Sequence, residues 1–309
     1  MWANIYCIHM FAREISRMPS SPPSELSLAP VVFRAMTADD IEQAYALSAE
    51  LRWPHRPTDW AQVFAHAEGT VAEQAGQIVG TGLRWRWGKQ HASLGLIIVS
   101  PACQGRGIGR QLMDALLNGL EDHTVLLQAT EAGRPLYEKL GFKVTGGVRQ
   151  HQGLATPTPL IAQPPGWRMR PAGLNELAAL QSLDAAARGM PRPALIEGLL
   201  ASAEACVVLD HEQTPRGFAM LRRFGRGHII GPVVAPDVEG AKALIAHLAG
   251  QNAGHFTRID VDAAAGLGDW LAAIGLAEVD APTTMVRGKP LAYSNNGPAL
   301  FAITTQAIG

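Results

Sequence analysis

Residues 96–112 read Leu96-Ile97-Ile98-Val99-Ser100-Pro101-Ala102-Cys103-Gln104-Gly105-Arg106-Gly107-Ile108-Gly109-Arg110-Gln111-Leu112. An apolar run stops at Ser-Pro, a glycine-rich turn follows, and an amphipathic segment begins, which is the order strand, tight loop, helix. Gly105, Gly107 and Gly109 remove side chains where the chain turns, so peptide N–H groups can approach a ligand closely. Those groups stand at a helix start, where the backbone dipole favours an anion. Arg106 and Arg110 add positive charge, and the unit suits a pyrophosphate. A Walker A loop would end in Gly-Lys followed by Ser or Thr, which is absent. A Rossmann fingerprint would need a small residue at 110, where this chain has arginine.

Working outward, Ile108, Leu112, Met113, Leu116, Leu117 and Leu120 share one face of the helix, with Arg110, Asp114 and Asn118 opposite. Upstream, Ser93–Val99 and Ile78–Trp87 form a hairpin about Gly88-Lys89-Gln90. Leu83, Trp85 and Trp87 alternate there with Arg84 and Arg86. That strand period accounts for the Arg-Trp run better than stacking on nucleic-acid bases does. Earlier come a short strand at Thr70–Glu73, a first strand at Val31–Arg34, and a helix from an N-cap at Thr37 to about Leu51. A break over Arg52–Pro57 carries Trp53, and a second helix runs over about Asp59–His66. Downstream lie a buried strand at Val125–Gln128, a short helix at Arg134–Leu140 stopped by Gly141, and a strand starting at Phe142–Thr145.

The stretch 152–166 is rich in Pro, Thr and Gly and reads as a linker. Beyond it the order of elements recurs. Trp167-Arg168-Met169-Arg170-Pro171 echoes Val32–Met36, Val234-Ala235-Pro236 echoes Val99-Ser100-Pro101, and Trp270–Leu276 echoes Leu136–Phe142. A diverged tandem repeat follows: a leader at 1–29, one domain at 30–151, the linker, and a second domain at 167–309 ending in a last strand near Ala299–Ile303. The 309-residue length agrees with two domains. With 26 basic and 27 acidic side chains the net charge of -1 gives no case for nucleic acid. Three separated cysteines make no disulfide framework, so a reducing cytoplasm fits. The ten histidines form no HExxH, and no metal is expected. No apolar run nears the ~20 residues a membrane span needs. Met1–Met18 lacks the order of a signal peptide.

Val99-x-Pro101 followed by Gln104-Gly105-Arg106-Gly107-Ile108-Gly109, with Leu136-Tyr137-Glu138-Lys139-Leu140-Gly141-Phe142 further on, resembles the Gcn5-related N-acetyltransferases (GNAT). The resemblance implies an α/β (α+β) class: two tandem GNAT folds, each a mixed, mostly antiparallel twisted sheet flanked by helices. It implies acetyl-CoA as cosubstrate in a V-shaped gap between Ser93–Val99 and Val125–Gln128. Backbone of Ile97, Ile98 and Val99 would pair with the pantetheine arm. Gln104, Gly105, Arg106, Gly107, Ile108, Gly109 and Arg110 would hold the pyrophosphate. Tyr137 falls at the position of the family's general acid, Thr130 near a CoA-touching Asn, and Trp53 at the acceptor pocket. The acceptor would be an amine of a small molecule or peptide. The base stays open between Glu131, His91 and a water chain. In the second repeat Glu239–Leu244 aligns with the loop but keeps one glycine, and Leu271 replaces the tyrosine, so CoA binding is not expected there. A CoA-binding regulatory or scaffolding protein without turnover is the alternative, and a longer acyl group a weaker one. The sequence leaves the acceptor and the oligomeric state open.

Overall fold

The computed structural model describes residues 29–158, 160–291 and 297–309. The expected leader lies outside the described residues except for Ala29. The first half runs β1 (Val31–Ala35), α1 (Ile41–Glu50), α2 (Pro57–Phe64), β2 (Glu68–Gln74), β3 (Gln77–Trp87), β4 (His91–Val99), α3 (Ile108–Leu117), β5 (Thr124–Ala129), α4 (Arg134–Lys139) and β6 (Lys143–Leu154). The second runs β7 (Trp167–Pro171), α5 (Leu177–Arg188), α6 (Pro193–Ser202), β8 (Ala205–His211), β9 (Thr214–Phe224), β10 (Gly227–Ala235), α7 (Val238–Gln251), β11 (Phe256–Asp262), α8 (Gly268–Ala273), β12 (Ala277–Asp280), β13 (Thr283–Arg287) and β14 (Ala299–Ala302). The two series match element for element as far as β6 and β12, the repeat that the sequence suggests.

All strands join one sheet, ordered β1-β2-β3-β4-β5-β13-β6-β11-β14-β10-β9-β8-β7, with β12 beside β6. Pairing is antiparallel except for β4–β5 and β10–β11. The alternation of tryptophan and arginine in β3 does what its period requires: Trp85 and Trp87 are buried while Arg84 and Arg86 reach Glu68. The apolar stripe of α3 buries Met113, Leu116 and Leu117 against Leu94, Val125 and Leu127 of β4 and β5, and Leu112 packs with Ala72 and Val79 of β2 and β3. The opposite face of the sheet shares one core with the second half, where Trp60, Val63 and Leu96 cluster with Leu195, Leu199, Phe218 and Ile308.

Two strands are exchanged between the halves. β13, from the end of the chain, lies between β5 and β6 of the first half, with Met285 opposite Leu127 on one side and Val144 on the other. In return the second part of β6 lies between β11 and β12, with His151 opposite Ile259 and Glu278. Gln152–Leu154, read from composition as the start of a linker, are therefore strand, and the expected boundary after 151 falls inside β6. Composition misreads them because the pairing partners are more than a hundred residues away. The first helix also differs: Ala38–Asp40 make a single 3-10 turn before α1, with the Asp40 carboxylate accepting the Thr37 N–H at 2.7 Å.

Candidate functional site

β4 and β5 pair in parallel only from His91–Thr124 to Leu94–Leu127. Beyond Leu94 no described strand pairs with that edge of β4, so the two strands part. The cause is a bulge. The β3–β4 register slips between Thr81 and Leu83, and Leu96 takes a left-handed φ of 50°, which costs a β-region residue free energy and bends the strand. The Leu96 carbonyl, turned out of the ladder, accepts the buried Thr81 hydroxyl at 2.9 Å. Ile97, Ile98 and Val99 lie along the opened edge.

The loop follows at once. Gly105 and Gly107 have φ of 76° and 80°, where a side chain is strained, and Gly107 is the N-cap of α3. Nothing stands within 4 Å of a Cβ added at either, so backbone conformation rather than crowding requires glycine. At Gly109 a Cβ would lie 3.6 Å from Leu136 Cδ2 and 3.7 Å from Val99 Cγ2. The end of β4, the start of α3 and the Leu136–Tyr137 segment of α4 thus converge on one bare position. Gln104 donates from Nε2 to the Val99 carbonyl at 3.1 Å. The two arginines of the loop do different things. Arg106 is drawn back to Gln74 Oε1 on β2 at 3.0 Å, and Arg110 pairs with Asp114 one turn along α3 at 2.9 Å. The Ile108 side chain is buried, which leaves its amide at the helix start.

Tyr137 is buried, packed edge-on to Phe142 at 6.1 Å, and its hydroxyl has no hydrogen bond among the described residues. Burial pushes its pKa up to about 12, so the phenol holds its proton at neutral pH. The Thr130 hydroxyl accepts the Gly133 N–H at 3.2 Å, which ties it to the turn before α4. Of the candidate bases, Glu131 is exposed on the turn before α4. His91 begins β4, eight residues from Val99, or about 26 Å away at the usual strand rise. It therefore stands at the wrong end of the strand to serve the site.

Trp53 is half-buried in the α1–α2 break and meets His55 edge-on at 5.9 Å. His55 in turn meets Phe224 at 5.7 Å, and the Gly225 N–H donates to Asp59 at 3.0 Å. The β9–β10 hairpin of the second half thus clamps the loop that carries Trp53. Burial, then the charge of Arg258, pushes the His55 pKa down to about 4. A cleft of about 580 Å³ between α3 and α4 is lined by Arg110, Asp114, Asn118, Lys139 and, from β13, Arg287. Among the described residues no three His, Cys, Asp or Glu side chains cluster as metal ligands. No helix among them is long and apolar enough to cross a membrane.

The corresponding place in the second half is built differently. β10 and β11 also part, after Ile230–Ile259, beside a register slip between Ile230 and Val233. There β14 enters the gap, pairing Val233, Val234 and Ala235 of β10 and Val261 of β11. Only residues 236–237 separate β10 from α7, where residues 100–107 separate β4 from α3. Glu239–Leu244, aligned with the loop from sequence, lie inside α7 instead. The Asp237 carboxylate caps that helix, accepting the Gly240 N–H at 2.8 Å, and so holds negative charge where the first half leaves bare amides.

A mostly antiparallel sheet with one parallel pair that opens ahead of a helix start is present in both halves, beside a glycine loop in the first alone. Two family models described as acetyltransferase (GNAT) domain match residues 43–157 and 180–300. The uncharacterized N-acetyltransferase YitH of Bacillus subtilis is 29% identical over 223 residues, 70% of this chain and 76% of that one. The N-alpha-acetyltransferase RimI of Mycobacterium tuberculosis is 30% identical over 133 residues, 40% of this chain and 84% of that one. In structure, a candidate acetyltransferase of Pyrococcus horikoshii superposes with a TM-score of 0.72 at 21% identity, over 95% of this chain and 99% of that chain. The chain belongs to the GNAT acetyltransferase family and carries two GNAT domains in tandem.

The sequence did not reveal the strand exchange, the occupant of the second gap or the hairpin clamp.

Proposed function

We propose that the first half transfers an acetyl group from acetyl-CoA to an amine of a small molecule or peptide, and that the second half binds no CoA and instead completes the first. The observation that supports this reading most is the contrast between the two gaps. One is open beside bare loop amides, and the other is filled by β14 and capped by Asp237.

In this reading the pantetheine arm lies along the unpaired edge of Ile97–Val99 and takes its backbone hydrogen bonds, as an added strand would. Amides of residues 104–110 face the pyrophosphate. Bare Gly109 leaves room between Val99 and Leu136 for the arm to pass. The basic side chains Arg110, Lys139 and Arg287 around the cleft suit the remaining phosphate. Tyr137, protonated and with a free hydroxyl, gives its proton to the departing thiolate. Water carries off the amine proton, since His91 is remote and Glu131 is solvated. Trp53, held by the hairpin clamp, forms a wall of the acceptor pocket.

The test is release of free CoA thiol from acetyl-CoA in the presence of a panel of small amines and peptide N-termini. Acceptor-dependent thiol supports the reading. CoA binding with no thiol released by any acceptor supports the regulatory alternative and removes the enzyme.

A further inference from the structure

Arg222, on β9, is buried to 2% exposure, and no carboxylate touches it among the described residues. Its Nε donates to the Gly231 carbonyl at 2.9 Å and its Nη2 to the Thr304 carbonyl at 2.7 Å. Asp59 and Asp260 act on it only through space, and desolvation pushes its pKa down to about 10. Two neutral carbonyls do not balance a buried guanidinium, and an uncompensated buried charge is among the costlier features a fold can keep.

Two further groups nearby lack partners. The hydroxyls of Thr304 and Thr305 are fully buried and make no hydrogen bond. Arg222, Thr304 and Thr305 all line one small cavity between the halves, closed on other sides by Val63 and Leu199. Its volume of about 20 Å³ admits a single water-sized species or little more. Asp59 also lines the cavity, but its oxygens are taken by the Arg56 side chain at 2.6 Å and by the Gly225 N–H. Arg258 is likewise paired with Asp260 at 2.7 Å. Among these neighbours Arg56 offsets Asp59 and Arg258 offsets Asp260, which leaves the charge of Arg222 over.

We propose that this cavity binds one single-atom anion, chloride, held by the Arg222 guanidinium and the hydroxyls of Thr304 and Thr305. The charge left over fixes the sign of the ligand, and the volume excludes phosphate, sulfate and carboxylic acids. Walls come from α2 of the first half and from β9, α6 and the chain end of the second. The ion therefore ties the halves together where the hairpin clamp and the α2–α6 contact meet. The exposed His66 and half-buried Gln62 also line the cavity.

The test compares melting of the full chain in sodium chloride and in sodium gluconate at equal ionic strength, for the natural protein and for Thr304→Val/Thr305→Val. The double substitution removes both hydroxyls at nearly constant volume. At chloride about tenfold above its dissociation constant, the natural protein is expected to melt about 2–4 °C higher than in gluconate, a gain the variant lacks. Equal melting of the natural protein in the two salts, or the same gain in the variant, overturns the site. Should the variant fail to fold, a crystal of the natural protein grown in bromide decides. An anomalous peak beside the Arg222 guanidinium supports the proposal, and water density alone there overturns it.

Discussion

Met285→Ala separates an exchanged pair of domains from two independent ones. Met285 belongs to the C-terminal half by sequence, yet it is fully buried in the core under α3, with Leu94, Leu127, Tyr137 and Phe142. Truncating a buried methionine costs about 2–5 kcal/mol, and a site flanked by strands on both sides has little freedom to collapse. Taking about 3 kcal/mol against a urea slope of about 3 kcal/mol/M, the midpoint falls by about 1 M. The assay is urea unfolding followed by tryptophan fluorescence. Trp53, Trp60, Trp85 and Trp87 lie in the first half and only Trp167 and Trp270 in the described part of the second. The fluorescence transition, dominated by the first half, is therefore expected to move with the far-UV circular dichroism transition. A fluorescence midpoint left at its original value, with only the dichroism displaced, refutes the exchange of β13.

Tyr137→Phe keeps the ring against Phe142 and removes the proton donor. Turnover is expected to fall about 10²-fold with the dissociation constant of CoA within about twofold, read by thiol release and by calorimetry. Unchanged turnover takes Tyr137 out of the chemistry. His55 gives a pH dependence of known sign. Its folded pKa of about 4 lies below its ordinary 6.5, so the unfolded chain binds the proton more readily. The stability it confers is complete above about pH 6.5 and is lost as the pH falls towards 4, by up to about 3 kcal/mol. Urea midpoints across that range should fall less steeply in His55→Phe than in the natural protein, and parallel curves would show that His55 is not the cause.

Local pattern revealed the elements that carry their own signal. The stripe of α3, the Trp-Arg alternation of β3 and the turn at Gly88 all depend on neighbours within a few residues, and each stands where its period puts it. The loop glycines were legible too, though Gly105 and Gly107 are needed for their φ rather than for space. What failed to show depends on distant partners. Thr283–Arg287 has ordinary strand composition, and nothing in it says that its neighbours are β5 and β6 rather than β12. Ala299–Ala302 was expected to be a strand, but only the folded sheet places it in the second gap. The left-handed Leu96 that opens the first gap is a leucine among apolar residues, with no local mark. The remoteness of His91, by contrast, follows from its eight-residue separation from Val99 along one strand.

The central claim is that each chain carries one CoA site, formed by the open edge of β4 and the amides of residues 104–110. Isothermal titration of the full chain with CoA tests it most directly, alongside Gly107→Glu, which puts a carboxylate and a disfavoured φ into that loop. One site per chain in the natural protein, abolished by the substitution, is the expected result. No heat of binding, two sites per chain, or undiminished binding to the Gly107→Glu protein contradicts it.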